Sequence, residues 1–294
     1  MHGSNPSTGQ TPLLAIVGPT ASGKSSLAIQ LAQNFNGELI CADSRTIYKS
    51  MNIGTAKPSL QDQEAIPHHL LDVVEPGQAF SAAEFQKQAQ VAISDIQSRG
   101  ALPILVGGTG LYIDSILYDY SFKQGRAAQP DSELANLAVE QLQARAEELG
   151  IALNHSDWHN PRRLIRAIET HGQPATKNEL RPNTLIIGLS VDPAELEARI
   201  VTRVHQMVDA GFQQEVEELL KHHKFDSEAM TGIGYRSFAA VATGQLTQQQ
   251  AIDQTIQDTK RYAKRQMTWF KRDKNINWVH NSTEVQALVA EFLA

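Results

Sequence analysis

Cysteine is almost missing from this chain: Cys41 is the one thiol among 294 residues. That excludes an internal disulfide framework and makes a cysteine-rich zinc site untenable. No apolar run approaches the ~18–20 residues of a membrane-spanning helix, so no membrane association is expected. The opening "MHGSNPSTGQTP" has no basic start followed by an apolar core, so it does not read as a secretory signal; its Gly, Ser, Asn and Pro favour an unstructured tail. A cytoplasmic protein is the expectation. Internal repeats and low-complexity tracts are absent too. Positive charge is in deficit, 26 Lys and Arg against 32 Asp and Glu, and the net −6 argues against wholesale coating of nucleic acid. Hydrophobic and charged contents of 41% and 20% are ordinary for a globular enzyme, and the length suits one large or two modest domains.

The positive charge that is present is concentrated. Lys260, Arg261, Lys264, Arg265, Lys271, Arg272 and Lys274 face a single Asp273 within fifteen residues, a local +6, which leaves −12 on the remainder. A basic stripe on an acidic body suggests one localised anionic partner. Over 247–273 the apolar Ile252, Ile256, Ala263, Met267 and Phe270 keep helical spacing, and the basic residues share the opposite broad face. Tyr262 and Trp269, interleaved with them, suit packing against bases or riboses.

Short continuous apolar runs alternate with helical patterns. "LLAIV" (13–17), "ELICAD" (38–43), "LPILVG" (102–107) and "TLIIGLS" (184–190) read as buried parallel strands. Helices are expected near 23–35, 81–99 and 193–221. The order predicts a doubly wound α/β core. Residues 119–183 break the rhythm. "DSELANLAVEQLQARAEELG" reads as one amphipathic helix capped by Asp131 or Ser132, and "HNPRRLIRAIETHG" as a second, begun at Asn160-Pro161 and stopped by Gly172. The expected organisation is an α/β core from 11–118 and 184–294, with an all-helical insertion at 119–183.

The residues richest in chemistry come first. Gly18-Pro-Thr20-Ala21-Ser22-Gly23-Lys24-Ser25 follows a strand and opens a helix, the context that makes Gly-x4-Gly-Lys-Ser a P-loop. Its glycines let the backbone close around oxygens, its amides and the helix N-terminus point at them, Lys24 adds a mobile charge, and Ser25 offers a hydroxyl to Mg2+. A nucleotide-hydrolysing relative has an apolar strand ending in Asp. Here "LPILV" runs into Gly107-Gly-Thr109-Gly110 with no acid, and the strand that ends in one is "ELICAD", with Asp43. Strand carboxyl ends in a parallel sheet line one crevice, so Asp43 shares a rim with both glycine loops. A carboxylate beside a diphosphate cradle suits alkyl transfer, with Asp43 accepting a proton and the cradle holding the departing diphosphate. The same parts serve phosphoryl transfer by a small-molecule kinase, and Asp43 as a cap or metal-shell group also fits.

Taken in order, "GPTASGKS", "ADSRTIYKSMNIGTAKP" (42–58), "PHHLLDV" (67–73), "FSAAEF" (80–85), "VGGTGLY" (106–112), "GIGYRS" (232–237) and "TKRYAKRQMTWFKRD" (259–273) resemble the tRNA dimethylallyltransferases, across about 13–280. The resemblance implies a P-loop NTPase-like core, a parallel sheet flanked by helices. It implies transfer of the dimethylallyl group of dimethylallyl diphosphate to the exocyclic amino group of the adenosine 3′ to the anticodon, in tRNAs reading U-starting codons. The P-loop then holds the diphosphate of the donor rather than a nucleotide. Asp43 matches the proposed general base, Arg203 an arginine on the diphosphate, and Thr109 a residue near the reacting centre. Ser44, Arg45, Thr46 and Tyr48, with Gly234, Tyr235 and Arg236, match tRNA-contacting motifs. Arg162, Arg163 and Arg166 in the insertion and Lys260, Arg261, Lys264 and Arg265 are candidate phosphate contacts on the anticodon arm. Many relatives carry Gln where this chain has Thr46, and no cysteine/histidine finger follows the core, which fits the compact bacterial type. A monomer is expected. The competing readings are a prenyltransferase acting on free adenine nucleotides, a kinase, and a non-catalytic RNA-binding protein. His155 and His159 in "HSDWH" lack the Glu of a zinc hydrolase and read as a surface pair. His68 and His69 read as shaping the site.

Overall fold

The computed structural model describes residues 11–122, 132–173, 175–223, 227–280 and 282–294. The amino-terminal tail to residue 10 and the cap candidate Asp131 lie outside them. Strands β1 (Leu13–Val17), β2 (Gly37–Ala42), β3 (His68–His69), β4 (Leu102–Gly107), β5 (Thr184–Leu189) and β6 (Ile276–Val279) form a parallel sheet in the order β3-β2-β4-β1-β5-β6. The helices are α1 (Lys24–Asn34), α2 (Leu60–Ala65), α3 (Ala82–Ser98), α4 (Gly110–Leu117), α5 (Ser132–Ala135), α6 (Val139–Glu148), α7 (His155–Trp158), α8 (Pro161–Glu169), α9 (Pro193–Asp209), α10 (Phe212–His222), α11 (Tyr235–Ala242), α12 (Gln248–Phe270) and α13 (Ser282–Leu293).

The continuous apolar strands follow from burial on both faces. Successive side chains of β1 go to opposite sides of the sheet. Leu14 and Ile16 join Leu27 and Leu31 of α1 with Val285 and Val289 of α13. Leu13, Ala15 and Val17 join the layer of Phe85, Ile93, Phe238 and Phe270. The expected doubly wound core is therefore present. A third apolar cluster stands apart: Leu142 and Ala146 of α6 pack on Leu164 and Ile168 of α8. Asn160 caps α8 by accepting from Arg163 N–H, Pro161 occupies its first turn, and Gly172 beyond it has φ 71°. The two chain crossings to this cluster are tied together where Asn178 and Arg181 N–H donate to the carbonyls of Tyr118 and Leu117, at 2.9 and 2.8 Å.

Four details differ from the sequence reading. The helix expected over 193–221 is two, because Gly211 at φ 98° turns the chain between α9 and α10. The helix expected over 131–149 is also two, α5 and α6, interrupted at 136–138. α12 stops at Phe270, so Lys271 and Arg272 lie beyond its end. Edge strands β3 and β6 are additions. On β3, His69 Nε2 lies 2.7 Å from Glu38 Oε2, at the opposite end of β2 from Asp43, and Arg99 closes on the same carboxylate. His69 thus fastens the sheet edge rather than shaping the site, and the Arg99 guanidinium, with His69 behind it, holds the Glu38 carboxyl below its usual range.

Register brings the chemistry together. Val17 and Ala42 both pair with Gly107, so the residues that follow, Gly18, Asp43 and Gly108, emerge side by side on one rim.

Candidate active site

The P-loop is built from backbone that only some residues tolerate. Gly23 takes φ 91° at the cap of α1 and Ala21 takes φ 62°, which turn the loop back over the helix start. Lys24 Nζ donates to Pro19 O at 3.1 Å, across its own loop. Ser22 Oγ is buried without a hydrogen-bond partner among the described residues, a donor and acceptor suited to an anion's oxygen. From α9, Arg199 braces the loop by donating to Ser22 O at 3.3 Å. Thr20 N–H does not point inward: it donates to Gln266 Oε1 at 2.8 Å.

Asp43, one residue beyond β2, opens a tight turn in which its Oδ1 accepts Arg45 N–H at 2.8 Å. Thr109 Oγ1 accepts Ser44 N–H at 3.0 Å, joining this turn to the second glycine loop. The Asp43 carboxylate is felt all round the rim. Burial pulls the Lys24 ammonium down to about 8; Asp43 resists that fall and Arg203 adds to it. Arg203 is likewise lowered by burial and held up by Asp43. Burial pushes the Tyr262 hydroxyl up to about 12, with Asp43 reinforcing it, although hydrogen bonds to Thr109 and Gln266 act the other way. Asp43, Lys24, Arg203 and Tyr262 are therefore one electrostatic unit.

Three cavities meet at Arg203. One, of about 260 Å³, is lined by Thr20, Asp43, Ser44, Arg45, Tyr262 and Arg265. A second, of about 520 Å³, is lined by Lys24, Ser25, Lys57, Asp62 and Arg203. The third, of about 1070 Å³, opens between α9 and the 50–63 segment, past Ile53, Leu60 and Met207. The chamber that holds the Asp43 carboxylate thus adjoins the one that holds Lys24 and Ser25 of the P-loop, and arginine or lysine side chains line both. The fit to Mg2+ rests on the donors: Ser25 is exposed at the start of α1 in the second cavity. No group of three or more His, Cys, Asp and Glu able to hold a metal occurs among the described residues. A single hydroxyl suits Mg2+, which keeps its waters and takes phosphate oxygens.

The RNA-contact expectations divide. Arg236, Lys264 and Arg265 are exposed, and Arg265 also lies over the Tyr262 ring. Lys260 pairs with Glu197 at 2.6 Å and Arg261 with Asp258 at 3.2 Å. Arg162, Arg163 and Arg166 are exposed on α8, paired with Glu228, Asp157 and Glu169. Arg45 lines the Asp43 chamber but is tied down, donating to Glu228 O at 2.9 Å and Thr231 Oγ1 at 3.2 Å. Tyr48 at 2% exposure, Thr46 at 7%, Tyr235 at 1% and Gly234 are buried and so lie off the outer surface, although Tyr235 lines the Asp43 chamber. Tyr262 turns toward Thr109 and lines the Asp43 chamber, while Trp269 keeps 37% exposure.

Three contributors were missed by sequence reasoning: Gln266, Arg199 and Glu215. Glu215 of α10 accepts the N–H groups of Asn52, Ile53 and Gly54 at 2.7–3.1 Å and the Tyr235 hydroxyl at 2.8 Å. It locks "NIGTAKP" to "GIGYRS". Glu215→Ala would leave four donors to find water or stay unpaired. We expect a loss of about 2–4 kcal/mol in urea unfolding, with Glu215→Gln recovering part of it; an unchanged midpoint for Glu215→Ala would refute the assignment.

The IPP transferase family model matches residues 46–273. The tRNA dimethylallyltransferase of Anoxybacillus flavithermus is 42% identical over 283 residues, covering 90% of this chain and 89% of that protein. The one from Bacillus subtilis is 40% identical, covering 91% and 90%. Among solved structures, the full-length tRNA isopentenylpyrophosphate transferase of Bacillus halodurans superposes with a TM-score of 0.75 at 33% identity, over 97% of each chain. A eukaryotic dimethylallyltransferase acting on tRNA superposes with a TM-score of 0.75 at 27% identity, over 92% of this chain and 74% of that one. With its P-loop, its rim carboxylate and this likeness along nearly its whole length, the chain belongs to the IPP transferase family, among the tRNA dimethylallyltransferases.

Proposed function

We propose that this protein transfers the dimethylallyl group of dimethylallyl diphosphate to the exocyclic amino group of the adenosine 3′-adjacent to the anticodon, in tRNAs reading U-starting codons. The observation that carries the reading is that the Asp43 chamber and the P-loop chamber of Lys24 and Ser25 meet at Arg203, in a member of this family. The donor's diphosphate lies in the P-loop, against Lys24, Arg203 and Ser22. An unpaired anticodon-loop adenosine flips out of its stack into the Asp43 chamber. Its amino nitrogen is a poor nucleophile because its lone pair is delocalised into the ring. Asp43 takes a proton from it as the new N–C bond forms at the allylic carbon, and the C–O bond to diphosphate breaks. Lys24, Arg203 and the loop amides hold the charge that gathers on the leaving group. Mg2+, held through Ser25, would add cationic charge there when bound. The helical segment 119–183 grips the anticodon arm, with the exposed arginines of α8 exchanging carboxylates for phosphates. The protein works as a cytoplasmic monomer.

The test is transfer of radiolabelled dimethylallyl diphosphate, with Mg2+, to unmodified tRNA, with AMP and ATP as rival acceptors. Label in tRNA alone is expected. Label in AMP but not in tRNA would move the protein to the free-nucleotide reading.

A further inference from the structure

Gln266 lies on the apolar side of α12, between Ala263 and Phe270, and is 4% exposed. A buried polar side chain there needs partners, and it has them on both glycine loops. Its Oε1 accepts Thr20 N–H of the P-loop at 2.8 Å, and its Nε2 donates to Gly108 O at 2.9 Å. The reversed amide would set N–H against N–H and carbonyl against carbonyl, so both contacts fix one orientation. The fit is close: a Cβ on Gly108 would overlap Nε2, and one on Gly110 would overlap the Trp269 ring. The Tyr262 hydroxyl, one turn away, joins Gln266 and Thr109.

We infer that Gln266 is a positioning residue whose single carboxamide sets the spacing between the loop that grips the leaving diphosphate and the loop that sits beside Asp43. The inference rests on the transferase reading for its consequence, since in-line displacement requires the leaving group and the proton acceptor to be held at a fixed separation. No other described side chain bonds both loops.

The probe is inorganic pyrophosphate, with tRNA prenylation measured in parallel. Gln266→Met keeps the volume and removes both hydrogen bonds. It should weaken pyrophosphate binding about 10-fold and lower kcat about 100-fold, with the KM for tRNA unmoved. Gln266→Glu supplies a finer readout. Ionised, it repels Gly108 O; protonated, it accepts from Thr20 and donates to Gly108 as the amide does. The surrounding Lys24, Asp43, Arg203 and Tyr262 are common to all the variants. The ratio of Gln266→Glu to wild-type pyrophosphate affinity should therefore climb toward one between pH 8 and pH 5.5, while the Gln266→Met ratio stays flat. Because that comparison is made within one folded protein, loss of stability does not mimic it. Wild-type affinity in both variants, or equal and pH-independent loss in both, overturns the inference. A wild type that binds pyrophosphate but modifies no tRNA overturns the transferase reading instead, and leaves the loop-spacing question to the pyrophosphate ratios.

Discussion

Asp43→Asn should lower single-turnover transfer to tRNA by about 10³-fold, within the range assigned to a positioned proton acceptor. Asparagine separates the two roles available to this residue. Its side-chain oxygen still accepts Arg45 N–H, so a carboxylate that merely caps the 43–46 turn is replaced without loss. A base is not, because the amide takes no proton. Pyrophosphate affinity should hold or rise in the same variant, since a negative charge coupled to Lys24 and Arg203 has been removed. Transfer within about threefold of wild type would reduce Asp43 to a turn residue.

Lys24→Met should weaken pyrophosphate binding by about 10²- to 10³-fold, the cost of taking one partner from a buried charge-assisted contact. The pH dependence gives a second reading, with its sign fixed by the site. Burial brings the free Lys24 ammonium down to about 8, so above that pH the unliganded amine is mostly neutral. Binding a polyanion favours the charged form. Wild-type binding should therefore take up a proton above pH 8, and affinity should decline there by up to tenfold per pH unit beyond what the ligand's own ionisation causes. Calorimetry in two buffers of different ionisation enthalpy measures that proton. Equal pH profiles for wild type and Lys24→Met would sink the assignment.

The parts legible in the sequence are those whose signal is local. "LLAIV" and "LPILVG" announce buried strands because both faces are covered. The P-loop announces itself because its spacing is its geometry. Asp43 was legible because it ends a strand, and strand ends of a parallel sheet converge. What escaped depends on distant partners. β3 has two residues and β6 four, too few for a pattern. Gln266 drew no reading from the sequence, although a polar residue in line with Ala263 and Phe270 was the available sign of a buried partner. Glu215 looked like any acid on a polar helix. The burial of Tyr48 and Tyr235 was not legible either, because it comes from elements distant in sequence, such as Phe212 and Glu215 against Tyr235.

Thr20 and Gln266 lie 246 residues apart, and the central strand β1 pairs through Leu14 with Ile104 and Leu185. On a ribosome adding about 5–20 residues per second, roughly 12–50 s separate the synthesis of one loop from that of the side chain that braces it. Until β4 is made β1 is an apolar ribbon with both edges bare, and until β5 is made one edge stays open, a template for wrong partners. Abundance in the cell is then governed by chaperone access to the nascent chain as well as by the stability of the finished fold. The cradle is among the first segments to be made and among the last to be completed.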